Sequence, residues 1–324
     1  MGSADEYEVL MKKRPHLVIL GAGASVAAIP HGDANGKKTS VMNGFIDMLN
    51  MRDLFKDIRL NTSSENLEDI YTELSQRPDC SDLLGVLNDR IYNYYFDFQI
   101  PHTPTIYDYL LIALTKKDAV ASFNWDPLLL QAYQRVSKIT KDLPELIFLH
   151  GNVYVGICKE CKKGGLIQLN CPDCGKKFKP VPLLYPVANK NYEEDSYIRD
   201  SWGALRWYLK RTFMLTVFGY SAPKTDSAAV AIFKDAWGET EKRALEQIEI
   251  IDIKPETELV ETWNDFIHTH HYEIHSSFFD SFIAKFPRQS CEKFYDMAFN
   301  CEWLDGSQGI KENTSFKELE KYVR

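Results

Sequence analysis

The chain has 324 residues, enough for one large domain or one domain with a small insert. Hydrophobic residues make up 44% of it, ample for a core, and a net charge of −8 argues against a protein that coats a phosphate backbone non-specifically. The N-terminus lacks a secretory pattern, no run reaches the ~18 apolar residues that span a bilayer, and Glu6 stands where myristoylation needs Ser or Thr, so a cytoplasmic protein without membrane contact is expected.

The first element is His16-Leu17-Val18-Ile19-Leu20, a short apolar run that reads as a buried parallel strand. Gly21-Ala22-Gly23-Ala24-Ser25 follows. Small residues there let backbone amides approach a pyrophosphate, although Val26 occupies the place of the usual third glycine; a tight ligand-free turn fits the motif alone equally well. The polar stretch 29–40 is a loop, long for a strand-to-helix connection.

From 43 to about 115 the apolar spacing is helical, clearest over 82–98 and 105–114. A second buried strand is expected at 118–123, followed by Asn124 and Asp126. Asn can hold a water or a ribose hydroxyl and Asp can accept from a diol, while an Asp before Pro127 is also an ordinary helix cap. A helix over 127–136 and a strand at 146–149 lead to His150. That residue is a candidate general base or, on position alone, a core histidine.

Cys158-x₂-Cys161-x₉-Cys171-x₂-Cys174 is the strongest single signal. Two thiolate pairs at this spacing surround one Zn²⁺ tetrahedrally, and four sulfurs close the shell, so the metal is structural. Cys80, Cys291 and Cys301 read as packed thiols. Beyond this module, expected over 153–181, come a helix over 197–210 and a strand at 213–218. Gly219-Tyr220-Ser221 follows as a turn or a phosphate cradle, with Asp226 as a helix cap. A strand at 247–253 ends near Asp252. The region 258–324 reads as helical, and His268, His270, His271 and His275 as a polar helix face or partner surface. Strands alternating with helices give an α/β class: a Rossmann-like open parallel sheet, with a zinc-ribbon insert and a helical insert. Ligands of such sheets bind at the carboxyl ends of the strands.

The ordered set Gly21-Ala22-Gly23-Ala24-Ser25, Ser122-Phe123-Asn124-Trp125-Asp126, Leu149-His150-Gly151, the two cysteine pairs and Gly219-Tyr220-Ser221 resembles the sirtuin family. Within it, the chain looks like the bacterial sirtuin-like branch used in antiviral defence, over about 17–254. The resemblance implies a sirtuin-like NAD-binding domain over 14–254 and a helical extension over 255–324. It implies that Gly21, Ala22, Gly23 and Ser25 contact the NAD⁺ pyrophosphate. Asn124 and Asp126 then lie near the nicotinamide ribose, and His150 is the catalytic histidine. Gly219, Ser221 and Asp252 hold the remaining phosphate, ribose and adenosine side, and Asp33 joins the cofactor-binding set.

The departures bear on substrate. Deacylases continue their first loop with Ile-Pro-Asp-Phe-Arg, whereas Ile29-Pro30-His31-Gly32-Asp33 stands here. In place of the strand that pairs with an acyl-lysine peptide, the chain has Pro182-Leu183-Leu184-Tyr185-Pro186 and Asn189-Lys190-Asn191-Tyr192, whose prolines remove ladder donors. The implied activity is an NAD⁺ glycohydrolase, an NADase of abortive infection that a regulatory subunit of ATPase, nucleotide-processing or Argonaute-like type switches on, in an oligomer. The alternatives are a protein deacylase or ADP-ribosyltransferase, and a non-catalytic NAD or ADP-ribose sensor.

Overall fold

The computed structural model describes residues 4–39, 41, 44–56, 58–185, 192–222 and 226–323. Nine strands occur among them, in chain order β1 (His16–Leu20), β2 (Ala119–Ser122), β3 (Glu145–Phe148), β4 (Val155–Cys158), β5 (Lys163–Leu166), β6 (Lys179–Pro180), β7 (Met214–Phe218), β8 (Gln247–Ile251) and β9 (Tyr272–His275). Six form one sheet in the order β3-β2-β1-β7-β8-β9, with every pairing parallel. With the three insert strands set aside, the order is third, second, first, fourth, fifth, sixth. That is the doubly wound Rossmann arrangement, which reverses direction between β1 and β7.

The centre of the sheet follows from composition. β1, β2, β7 and β8 are buried along their whole length, as expected of apolar parallel strands covered on both faces. On one face Leu17, Ile19, Leu215, Val217, Ile248 and Ile250 pack beneath the helices Ser196–Leu209, Ser227–Trp237 and Glu256–Trp263. On the other, Val18, Leu20, Phe218 and Ile251 join a larger core with the helices Ile106–Ala113 and Leu128–Val136 and with the helical region before them. The Asp195 carboxylate starts the helix Ser196–Leu209 by accepting from the Tyr197 and Ile198 amides at 2.8 and 3.2 Å.

The helical region expected over 43–115 is broken; Asn43 itself, like Ser40 of the preceding loop, lies outside the described residues. Among the described residues helices occupy Phe45–Met48, Leu67–Ser75, Ser81–Phe96 and Ile106–Ala113, with a 3₁₀ turn, Arg52–Phe55, between the first two. The reason is local. Glu73 accepts from the Asn61 and Thr62 amides, Thr62 Oγ1 from Ser64 N and Ser64 Oγ from Asn66 N, so polar side chains compete for the backbone.

The stretch 255–324, expected as a helical extension, also supplies edge strand β9. Its Tyr-Glu-Ile-His alternation has the period of a strand, and over four residues that signal is easily lost among the surrounding histidines. The same stretch places Phe278, Ile283, Ile310 and Leu319 in the core that holds Val18 and Leu20. Its helix Ser290–Phe299 packs on the N-terminal helix Ala4–Lys12, where Lys12 Nζ meets Asp296 Oδ1 at 2.6 Å.

The insert is a three-stranded antiparallel sheet in the order β5-β4-β6. Phe178 lies against Cys158 and Cys171 as its small core.

Candidate active site and metal centre

β1 and β7 are adjacent, and the strand order reverses between them, so their carboxyl ends flank the crevice of the fold. The loops that leave these strands are interlocked. Gly21 N donates to Phe218 O, Gly23 N to Gly219 O, and Gly219 N to Ile251 O, all at 2.9–3.0 Å. A Cβ on Gly23 would stand 2.8 Å from the Gly219 Cα, and one on Gly21 would meet the Gly219 carbonyl. Gly219 itself has φ +61°, a conformation that glycine adopts without strain. These glycines are therefore needed for backbone to pass backbone, and two of the amides expected to face a pyrophosphate already have carbonyl partners.

Beside this crossing lies a buried polar cluster. The Ser25 hydroxyl is 2.6 Å from Asp126 Oδ2, to which it donates, and 2.7 Å from Tyr107 Oη. Asn124 Nδ2 lies 2.8 Å from Gly21 O, 2.9 Å from Ser25 Oγ and 3.2 Å from Tyr107 Oη. Asp126 also accepts the Leu128 amide at 3.1 Å, so the helix-cap role and the cluster role coexist. Burial raises the Asp126 pKa, against the opposing pull of the Ser25 and Leu128 hydrogen bonds. Asn152 Nδ2 donates to the Asp126 carbonyl at 2.6 Å and ties this loop to the turn after β3.

His150 stands at the end of β3, 5% exposed, between aromatic rings. Phe123 meets it edge-on at 4.7 Å and Tyr192 lies nearly parallel at 6.2 Å; Tyr192 in turn rests on Trp202 at 4.2 Å. Its Nε2 is 3.9 Å from Asp226 Oδ1, and the other Asp226 oxygen accepts from Tyr220 Oη at 3.1 Å. Asp226, expected as a cap, thus turns its carboxylate toward Tyr220 and His150. Leu184 N donates to the His150 carbonyl at 2.9 Å, so the segment after β6 runs over this turn. Pro186 and Asn189 to Asn191 of that segment lie outside the described residues.

The sequence therefore brings Gly21, Gly23, Ser25, Asn124, Asp126, His150 and Gly219 to one end of the sheet. Ala22 sits half-buried at the start of the short helix Ala22–Ala28, Ser221 is exposed, and Asp252 follows β8 with its carboxylate accepting the Lys254 amide. Asp33 is engaged elsewhere: its two oxygens accept from the Asn35, Lys37 and Gln99 amides at 2.8–2.9 Å and hold the loop's own shape. Tyr107, Asn152, Asp226 and Tyr192 are members that the sequence reading missed. Asp226 and Tyr192 were visible only as a cap and as part of an altered segment, and Tyr107 carried no signal beyond helical spacing.

The second centre is in the insert. One sulfur from each of Cys158, Cys161, Cys171 and Cys174 lies within 4.8 Å of the others. Sulfurs ~2.3 Å from a tetrahedral Zn²⁺ stand about 3.8 Å apart, so this set fits a structural zinc held by four thiolates. Of the other cysteines, Cys80 and Cys291 are buried as expected, but Cys301 is exposed. The expected histidine helix face is absent. His268 and His271 meet edge-on at 5.7 Å before β9, and His275 lies in β9 itself. Among the described residues no helix is long and apolar enough to cross a membrane.

No protein-family model matches the chain, and no curated protein does. Solved structures that match the chain include a Sir2 homologue in complex with NAD, 14% identical, covering 92% of this chain and 94% of that one with a TM-score of 0.40. Sir2Tm bound to a propionylated peptide is 15% identical over 93% and 99% of the two chains, with a TM-score of 0.39. A sirtuin studied for substrate affinity is 17% identical over 86% and 94%, with a TM-score of 0.40. Likenesses this distant assign no residue roles.

Proposed function

We propose that the chain is an NAD⁺ glycohydrolase that cleaves the bond between nicotinamide and ribose. One observation supports this reading: a buried carboxylate–hydroxyl–amide cluster lies beside the point where the strand order reverses, the place where doubly wound sheets take dinucleotides, while the buried His150 after β3 faces Asp226 of the segment that follows β7. The nicotinamide nitrogen is cationic and leaves with the bonding electrons. A water oxygen bonds to the ribose carbon, and His150 takes the water's proton. Ser25, Asn124 and Asp126 exchange some of their mutual hydrogen bonds for ribose hydroxyls, and Asp226 stabilises the imidazolium that forms. Nicotinamide and ADP-ribose are the products.

The near-complete burial of His150 beneath Tyr192 supports a site kept closed until a ligand or regulatory subunit opens it. Such control suits a cytoplasmic antiviral effector whose unrestrained activity would empty the cell of NAD⁺, and assembly into an oligomer is one route to it. The test is incubation with NAD⁺, with chromatography of nicotinamide and ADP-ribose, beside His150→Ala and beside an acetylated peptide. Release without peptide that the substitution abolishes is expected. Release only with peptide, accompanied by transfer of the acetyl group to ADP-ribose, would overturn it in favour of a deacylase.

A further inference from the structure

β8 and β9 pair in register, with Glu249 opposite Glu273 and Ile251 opposite His275. Side chains two residues apart on a strand share a face, so Glu249, Glu273 and His275 leave the sheet together. His275 Nε2 lies 3.3 Å from Glu249 Oε1 and 3.2 Å from Glu273 Oε2, and the three ligand atoms fall within 4.8 Å of one another. Hydrogen bonds between an imidazolium and a carboxylate close to about 2.7–2.9 Å, shorter than either contact. The His275 Nε2 atom is itself buried and has no hydrogen bond of acceptable geometry. Ligand atoms about 2.0 Å from a tetrahedral cation stand about 3.3 Å apart, and the two contacts of His275 with the carboxylates have that spacing.

We propose that Glu249, Glu273 and His275 form a second metal site, for a divalent first-row transition cation. Two carboxylates and one imidazole suit Zn²⁺, Mn²⁺ or Fe²⁺ and lack the thiolates that select softer ions. The buried ligand is held in place from behind. Glu249 Oε2 accepts from Thr216 Oγ1 at 2.9 Å, Thr216 Oγ1 contacts His16 Nε2 at 2.7 Å, and Glu249 Oε1 also accepts the Phe282 amide. The Glu273 side chain is 42% exposed and gives the cation its way in. The two carboxylates beside His275 give the cluster a negative field that attracts a cation. A bound ion would pin edge strand β9, and the C-terminal segment that begins at Phe278, to the body of the sheet.

The experiment uses the full chain with its cysteine site loaded with zinc. Mn²⁺ is titrated in while the free ion is followed by electron paramagnetic resonance, and metal content is measured after a second equivalent of Zn²⁺. Thiolates prefer zinc, so the cysteine site does not compete for Mn²⁺. One additional metal per chain is expected, with affinity reduced about tenfold or more in Glu273→Gln and in His275→Gln. The cysteine-bound zinc should be unchanged, and Mn²⁺ should raise Tm in the parent only. Binding of neither metal, or binding that both variants retain, would overturn the proposal and leave an imidazolium held between two carboxylates.

Discussion

Two buried hydrogen-bonded networks cross this sheet, and they differ in what surrounds them. At the strand ends, Ser25, Tyr107, Asn124 and Asp126 come from three separate stretches of chain and gather beside the crevice between β1 and β7. From the start of β1 to the middle of β7 and β8, Ser290, His16, Thr216 and Glu249 form a lane that runs across these strands beneath the C-terminal segment. Both satisfy polar groups that would otherwise be costly to bury. The first lies where a doubly wound sheet admits a ligand, and the second joins a sheet to its cover. Burial and hydrogen bonding are therefore common to both networks, and it is position relative to the strand ends that leads us to propose the first, and not the second, as reactive.

The widest break in this comparison would come from removing the zinc, because neither network draws a side chain from the three-stranded insert. Cys171→Ser should abolish zinc retention and withdraw folding free energy on the order of 10 kcal/mol from the insert. Proteolysis is expected within 155–180, while the sheet's circular dichroism persists. Collapse of the whole chain would show that the networks depend on the insert.

His150→Ala should lower nicotinamide release by about 10²–10⁴-fold, the usual worth of a general base. His16→Gln should leave turnover within about twofold of the parent while lowering stability by about 1–3 kcal/mol in urea unfolding. Equal losses of turnover in the two folded variants would erase the distinction.

His16 also sets a pH signature for the lane. Burial first, and the Lys117 charge second, lower its pKa to about 3, and its ring contacts the Ser290 and Thr216 hydroxyls. Asp118 accepts the His16 amide, Glu249 accepts from the same Thr216 hydroxyl that contacts the ring, and Cys291 follows Ser290 on the covering helix. In the unfolded chain a histidine protonates near 6.5, so below that pH the unfolded state binds the extra proton. The contribution of neutral His16 is thus complete above about 6.5 and is lost as pH falls toward 3. Between pH 7 and pH 5 the loss is about 2 kcal/mol, and it should vanish in His16→Gln when urea midpoints are compared.

The smallest effect concerns Tyr107→Phe, which removes the hydroxyl that meets both Ser25 and Asn124. It should cost about 1 kcal/mol of stability and raise the KM for NAD⁺ more than it lowers kcat. A change in kcat alone would place Tyr107 closer to the chemistry than the cluster geometry does.

The sequence announced what depends on local pattern. The apolar run 16–20, the cysteine spacing and the small residues at 21–25 each carry their structural meaning within a few residues. What it hid depends on long-range packing. Tyr107 meets Ser25 across 82 positions, from a helix whose every turn is buried. Asp33, expected in the cofactor-binding set, has a carboxylate that holds its own loop through three amides, one of them 66 positions away, a role that no local pattern displays. β9 was hidden because four residues of alternation cannot compete with a run of histidines. The interlock of Gly21 and Gly23 with Gly219 was only half legible: small residues were expected, but for a phosphate rather than for a neighbouring loop.

That interlock makes a forecast about tolerance to substitution. Positions 21, 23 and 219 touch through main-chain atoms, so no neighbouring side chain can be trimmed to admit a larger residue at any of them. In a saturation library the three should be depleted together, without compensating pairs, and alanine should be rejected nearly as firmly as tryptophan. The two loops would then drift through related sequences as one unit, however far the surrounding helices diverge.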